Sequence, residues 1–217
     1  MDGTTWWGSV AATLVGLAVG WLVNRAANVL PWMGLAVADA PAVRSWAGRR
    51  QAVLAATAVL YLLGWVRFAG KPLALAAFWL YAAYFLAVLV IDLEHRRVLN
   101  VMTAPAAAVT LGLAALRGGP GLVSAVLGSL VGLAIFLAVA FLGRGRLGAG
   151  DVKLAGVIGL AVGYPHVVSA LFLGVVLGGL VAGALLLTRQ IGLKSYIAYA
   201  PYLCLGALVV LFFTLGS

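Results

Sequence analysis

Two aspartates stand against long apolar stretches in a chain with almost no acid. Asp92 closes the run FWLYAAYFLAVLVID, and Asp151 closes the tetrad Gly148-Ala149-Gly150-Asp151. The chain has five side-chain carboxylates in all: Asp2, Asp39, Asp92, Glu94 and Asp151. Two of them therefore fall against spanning segments, where a charge costs roughly 2.5–3.5 kcal/mol at a helix centre and less near its ends. An ionisable group kept in such a place is a functional-site candidate by default. A pair of carboxylates can do acid–base chemistry with one proton. In amide hydrolysis the ionised member takes a proton from water, and the protonated member polarises the carbonyl or protonates the leaving group. Two close carboxylates in a poorly hydrated site cannot both ionise cheaply, so they share the proton, and the titration belongs to the pair.

The elements that must position these aspartates follow from composition. Of 217 residues, 65% are hydrophobic and 9% charged, too apolar for a soluble surface. The expected fold is an all-α, polytopic transmembrane bundle, one membrane domain over residues 1–217. A bilayer core of about 30 Å needs about 20 mostly apolar residues per span. Eight candidates lie near 8–31, 52–69, 72–92, 101–116, 121–143, 151–164, 166–188 and 195–215. Pro31, Pro72, Pro120, Pro165 and Pro201 end or bend these segments. Only Asp2, and no basic stretch, precedes the first segment, so it reads as a retained helix rather than a cleaved signal peptide. The single cysteine, Cys204, lies in an apolar run and has no CxxC zinc pattern around it. It is expected to pack as a small apolar residue.

The net charge of +9 reads as orientation and lipid contact, not nucleic-acid binding. With the N-terminus outside, the cytoplasmic side would hold Arg44, Arg49, Arg50, Arg96, Arg97, Arg144, Arg146, Lys153, Arg189 and Lys194. The opposite side would hold Arg67, Lys71 and Arg117. This positive-inside bias puts Asp92 and Asp151 at the cytoplasmic face and both termini outside.

Local context refines the candidates. Asp151 should open a helix, where the helix dipole favours negative charge, and Asp92 should lie near a helix C-terminus, where it does not. Asp92 is then the expected holder of the shared proton. Gly148 and Gly150 would allow a tight turn and close backbone approach beside Asp151, room for an extended substrate strand. The plainer alternative is a loop with Asp151 as a helix N-cap. Lys153 either tunes Asp151 by its charge or anchors the helix end by snorkelling. Glu94, His95, Arg96 and Arg97 read as a solvated loop. Asn24 and Asn28 lie one turn apart on one face of the first helix, suited to interhelical hydrogen bonds. Trp6, Trp7, Trp32 and Trp46 read as interfacial anchors. Gly128/Gly132, Gly174/Gly178 and Gly179/Gly183 have the four-residue spacing that lets helices approach closely.

Four blocks carry a resemblance. LGAGDVKL (147–154) resembles the GxGD signature of type IV prepilin peptidases, which are intramembrane aspartyl proteases. IDLEHRRVLNVMTAP (91–105) is similar to that family's first aspartate motif, matching at Ile91, Asp92, Asn100, Thr103 and Pro105, with Leu99 where the family usually has proline. GLAVGWLVNRAANVLP (16–31) resembles the family's N-terminal block, with Asn24 at its asparagine, and IAYAPYLCLG (197–206) resembles its last block, retaining Pro201 and Gly206. The resemblance implies an inner-membrane endopeptidase that removes the short basic leader of prepilins or prepilin-like proteins at the cytoplasmic boundary. Asp92 and Asp151 would be its catalytic aspartates, with Gly148, Gly150, Lys153, Asn100, Asn24 and Pro201 in support. Many members also methylate the new N-terminus with S-adenosylmethionine, and those often carry zinc-binding cysteines in a large first loop. Here that loop, 32–51, is short and holds no cysteine, so no metal is expected and methyl transfer is left open. Two other readings stand beside this one: a GxGD protease with non-pilin substrates, and a proton-coupled membrane carrier whose aspartates relay protons.

Overall fold

The computed structural model describes residues 3–32, 46–116, 119–142, 147–189 and 198–215. Within them the chain is all helical, with no strand. The helices are α1 (Gly3–Val29), α2 (Arg49–Phe68), α3 (Pro72–His95), α4 (Asn100–Leu116), α5 (Gly119–Leu142), α6 (Ala149–Val162), α7 (His166–Leu187) and α8 (Ala200–Thr214), with a short 3-10 turn over Leu30–Trp32. Helices satisfy their own backbone, which is what a bilayer demands of a spanning element. Eight helices occupy the eight expected segments. Five of them, α1, α2, α3, α5 and α7, are long and apolar enough to cross a membrane. The other three are shorter: 17 residues in α4, 15 in α8 and 14 in α6.

The chain forms two compact units, residues 1–96 with 215–217, and residues 97–214. In the first, α1, α2 and α3 pack on one another. Gly16 and Gly20 of α1 let α2 come close. A Cβ on Gly16 would fall 2.9 Å from the Ala58 Cα, and one on Gly20 would meet the Thr57 hydroxyl. Tyr61 of α2 and Trp79 of α3 are doubly linked. The Tyr61 hydroxyl donates to the Trp79 carbonyl and the Trp79 indole donates to the Tyr61 carbonyl, each at 3.0 Å. Their rings stack with centroids 5.0 Å apart. Each polar tip thus finds an acceptor while its ring stays in apolar surroundings.

The second unit is built around its shortest helix. α6 packs against α4, α5, α7 and α8, and Leu154 through Val162 are all buried. A helix that is apolar on every side is one its neighbours cover completely. At about 1.5 Å per residue α6 is shorter than a bilayer core, so its ends are set by protein packing rather than by lipid thickness. Its contact with α5 is made backbone to backbone. A Cβ on Gly128 would run into the Gly159 carbonyl, and one on Gly159 into the Gly128 carbonyl. Gly132 faces Ala155 in the same way, and Gly174 and Gly178 of α7 face α8. These two pairs are the packing surfaces their spacing predicts. The third is not: a Cβ on Gly179 or Gly183 would meet nothing within 4 Å. Cys204 is fully buried in α8, as its apolar context predicts. Trp6, Trp7 and Trp46 are exposed, as interfacial anchors would be.

Candidate active site

In the first unit Asp92 is 5% exposed. The segment expected to stop at Asp92 continues to His95, so Asp92 sits in the last turn of α3 rather than at its boundary. The helix stops at Arg96, which adopts a left-handed conformation (φ 52°, ψ 42°) and returns its N–H to the Asp92 carbonyl at 2.9 Å. That bond satisfies one of the carbonyls a helix end leaves open.

Glu94 is not in a solvated loop, contrary to the expectation from its charged neighbours. Its side chain is 3% exposed and accepts a 2.7 Å hydrogen bond from the Arg49 guanidinium, with an ion pair between the two. Arg49, the first residue of α2, is likewise buried rather than free in a loop. Its other terminal nitrogen donates at 2.7 Å to the Asn28 Oδ1 on α1. Asn28 therefore makes the interhelical bond expected of it. Asn24, on the same face, instead donates to the Gly20 carbonyl of its own helix at 3.0 Å. The apolar context of α3 masked this network, because no local pattern announces a partner 45 residues away.

In the second unit Asp151 lies in the first turn of α6 and is half-buried. It is not the N-cap. That position belongs to Gly148, whose carbonyl accepts the Asp151 N–H at 3.0 Å. Gly148 has an ordinary extended backbone (φ −67°, ψ 139°), so no unusual turn requires glycine there. A Cβ on it would lie 3.4 Å from an Asp151 carboxylate oxygen. Gly150 does need to be small. A Cβ there would come 2.9 Å from the Cβ of Val98, so the start of α6 packs directly on the short segment that precedes α4.

Lys153 makes a contact that neither reading of its sequence position names. Its ammonium donates to the Asn100 Oδ1 at 2.8 Å, on the exposed side of the unit. The structure thus joins two of the expected support residues and ties the first turn of α4 to that of α6. A cleft of about 370 Å³ opens beside this pair, lined by Thr103, Ala107, Ser129, Leu133 and Gly156 among others. Leu99, in the place of proline, receives the N–H groups of Met102 and Thr103 on its carbonyl and starts α4. Pro201 lies in the first turn of α8, where a missing N–H costs nothing. Among the described residues no three of His, Cys, Asp and Glu gather into a metal-ligand cluster. Arg44, Arg117, Arg144, Arg146 and Lys194, used above to orient the chain, lie outside the described residues, as do Asp39 and most of the 32–51 loop.

Comparison with known proteins bears on the same region. The model of the type IV leader peptidase family matches residues 79–183, a stretch that contains both Asp92 and Asp151. The first and last of the four motif blocks fall outside it. A prepilin leader peptidase/N-methyltransferase of Bacillus subtilis (strain 168) is 30% identical over 84 residues, 39% of this chain and 34% of that protein. The match thus spans about a third of the relative's length. No solved structure matches the chain.

Proposed function

We propose, from the match of residues 79–183 to the model of the type IV leader peptidase family, that this multi-pass membrane chain is an aspartyl endopeptidase that removes leaders from prepilin-like proteins. The observation that carries the reading is where the family match falls. It contains both Asp92 and Asp151, each in a terminal turn of a helix. The third carboxylate of that stretch, Glu94, is engaged with Arg49.

The helix ends support one division of roles in this reading. Asp151, at the positive end of the α6 dipole, begins ionised and takes a proton from water. The resulting hydroxide adds to the scissile carbonyl. Asp92, at the negative end of the α3 dipole, begins protonated, hydrogen-bonds to that carbonyl, and passes its proton to the departing amine as the C–N bond breaks. The site lies at the cytoplasmic boundary of the inner membrane in this reading, on the side where the basic residues accumulate. A bond there is reachable just before an apolar substrate helix enters the lipid.

The test is cleavage of a prepilin-like substrate by the purified chain in detergent. The substrate is a short basic leader followed by an apolar helix, and the product is weighed as intact mass. Wild type should release the leader, while Asp92→Asn and Asp151→Asn should each lose activity by about a hundredfold or more. Wild type that fails to cleave, or either variant cleaving at the wild-type rate, would contradict the proposal. Adding S-adenosylmethionine in the same experiment reads out methyl transfer as one methyl group in the product mass.

A further inference from the structure

The last turn of α3 holds two carboxylates, and only one of them is used above. Glu94 stands two residues beyond Asp92, and residues at that spacing on a helix do not face one another. Glu94 is therefore not placed to share the work of Asp92 directly. It points instead into a buried cluster, where Arg49 bridges Glu94 of α3 and Asn28 of α1 with two nitrogens of one guanidinium, both at 2.7 Å. One side chain from the first turn of α2 thereby ties together the ends of all three helices of the unit.

Stability alone does not account for this arrangement. A buried ion pair gains little over a well-packed apolar contact of the same size, because both charges must be desolvated. The cluster is also incompletely satisfied. Glu94 Oε1 is buried with no hydrogen-bond partner among the described residues, which makes it costlier still. What such a cluster supplies is geometry. The guanidinium is a planar, rigid fork that fixes two acceptors relative to each other, as an ammonium on a flexible stem does not. Helix ends otherwise fray, because their last carbonyls lack partners within the helix. The end fixed here is the turn that carries Asp92.

We propose that Arg49 and Glu94, with Asn28 orienting the guanidinium, are positioning residues that hold the Asp92 turn of α3 in its reactive geometry. The proposal rests on Asp92 acting in leader cleavage. Because the bridged pair is neutral as a whole, it fixes the turn without adding net charge beside Asp92. A displacement of about 1 Å at a reacting group is enough to lower a rate by about a hundredfold. Loosening the turn should therefore slow the chemical step and leave the binding of an apolar substrate helix little changed.

The experiment measures kcat and KM for the same prepilin-like substrate with the full chain in detergent. Arg49→Gln and Glu94→Gln should each lower kcat by roughly tenfold or more with KM changed less than about twofold. Arg49→Lys should not restore the rate, since one ammonium cannot hold both acceptors in the same fork. The exchange Arg49→Glu with Glu94→Arg should recover most of the lost kcat, because it rebuilds the bridge with its polarity reversed. Asn28→Ala removes one bond only and should give a smaller loss, which keeps the test open should the charge variants fold poorly. Wild-type kcat in Arg49→Gln and Glu94→Gln would overturn the proposal. So would an exchange variant no more active than the single variants but fully restored in thermal midpoint, which would assign the pair to stability alone. Asp92→Asn, assayed alongside, separates the two levels: full activity there would overturn the catalytic reading itself, whatever the positioning variants do.

Discussion

The two units of this chain present an aspartate by opposite means. In the first, Asp92 sits at the C-terminal end of a 24-residue helix, and its turn is flanked by charge: the Arg49–Glu94 pair, the Asn28 oxygen and a left-handed Arg96. In the second, Asp151 opens a 14-residue helix whose placement depends on absent side chains. Gly150 admits Val98, Gly159 admits Gly128, and the polar link from Lys153 to Asn100 is exposed. A buried ion pair fixes direction at a cost in desolvation. A glycine contact fixes separation, through backbone packing that any added atom would disturb. The two units should therefore fail differently when altered.

The largest effect on stability should come from filling the glycine contact of the second unit. Gly128→Leu or Gly159→Leu should destabilise the protein by about 1–3 kcal/mol or more, read as a lower thermal midpoint in detergent. Gly179→Ala, on the open face of α7, should leave that midpoint unchanged or raise stability by up to about 1 kcal/mol. Equal effects at the two positions would erase the distinction between packed and open glycines.

Next in size is Gly150→Ala. The added Cβ must push Val98 away, displacing the segment between the two aspartates, and leader cleavage should fall by roughly tenfold. Adding Val98→Gly removes the atom it meets and should restore most of the rate. If Gly150→Ala cleaves normally, the contact does not position Asp151.

Smaller effects belong to the caps and the exposed pair. Arg96→Gly should raise stability by about 1 kcal/mol, because glycine takes the left-handed conformation without the Cβ clash. A loss instead would mean that the Arg96 side chain makes a contribution larger than its backbone strain. Lys153→Met or Asn100→Ala should cost less than about 1 kcal/mol, because the bond between them is exposed. A larger loss of midpoint would show that this link, and not the glycine packing alone, holds α4 on α6.

Much of this was legible in the sequence. Hydropathy and proline placement located the eight helices of the described residues, and the scarcity of acid drew attention to Asp92 and Asp151 as candidates. Two of three glycine pairs were read correctly from spacing. Their spacing is the same as that of Gly179 and Gly183, which shows that periodicity reports a small face but not whether a neighbour covers it. The first-unit network escaped notice for a different reason. Glu94 stands among His95, Arg96 and Arg97, and a run of charge ordinarily means a solvated segment. Only the return of α2, 45 residues earlier in the chain, supplies the Arg49 that makes burial affordable. The bond from Lys153 to Asn100 is hidden from local pattern on the same ground, since 53 residues separate the two. Local patterns report what a segment is, whereas partners at long separation are fixed by packing.

The central claim is that Asp92 and Asp151 act as one unit in leader cleavage. It is tested most directly by comparing the residual rate of the double variant, Asp92→Asn with Asp151→Asn, with the rate of each single variant. Groups that work as a unit are strongly non-additive. The account predicts that the double variant cleaves no more slowly than either single variant. Two single losses that multiply in the double variant would show independent roles, and a single variant that keeps the wild-type rate would contradict the account outright.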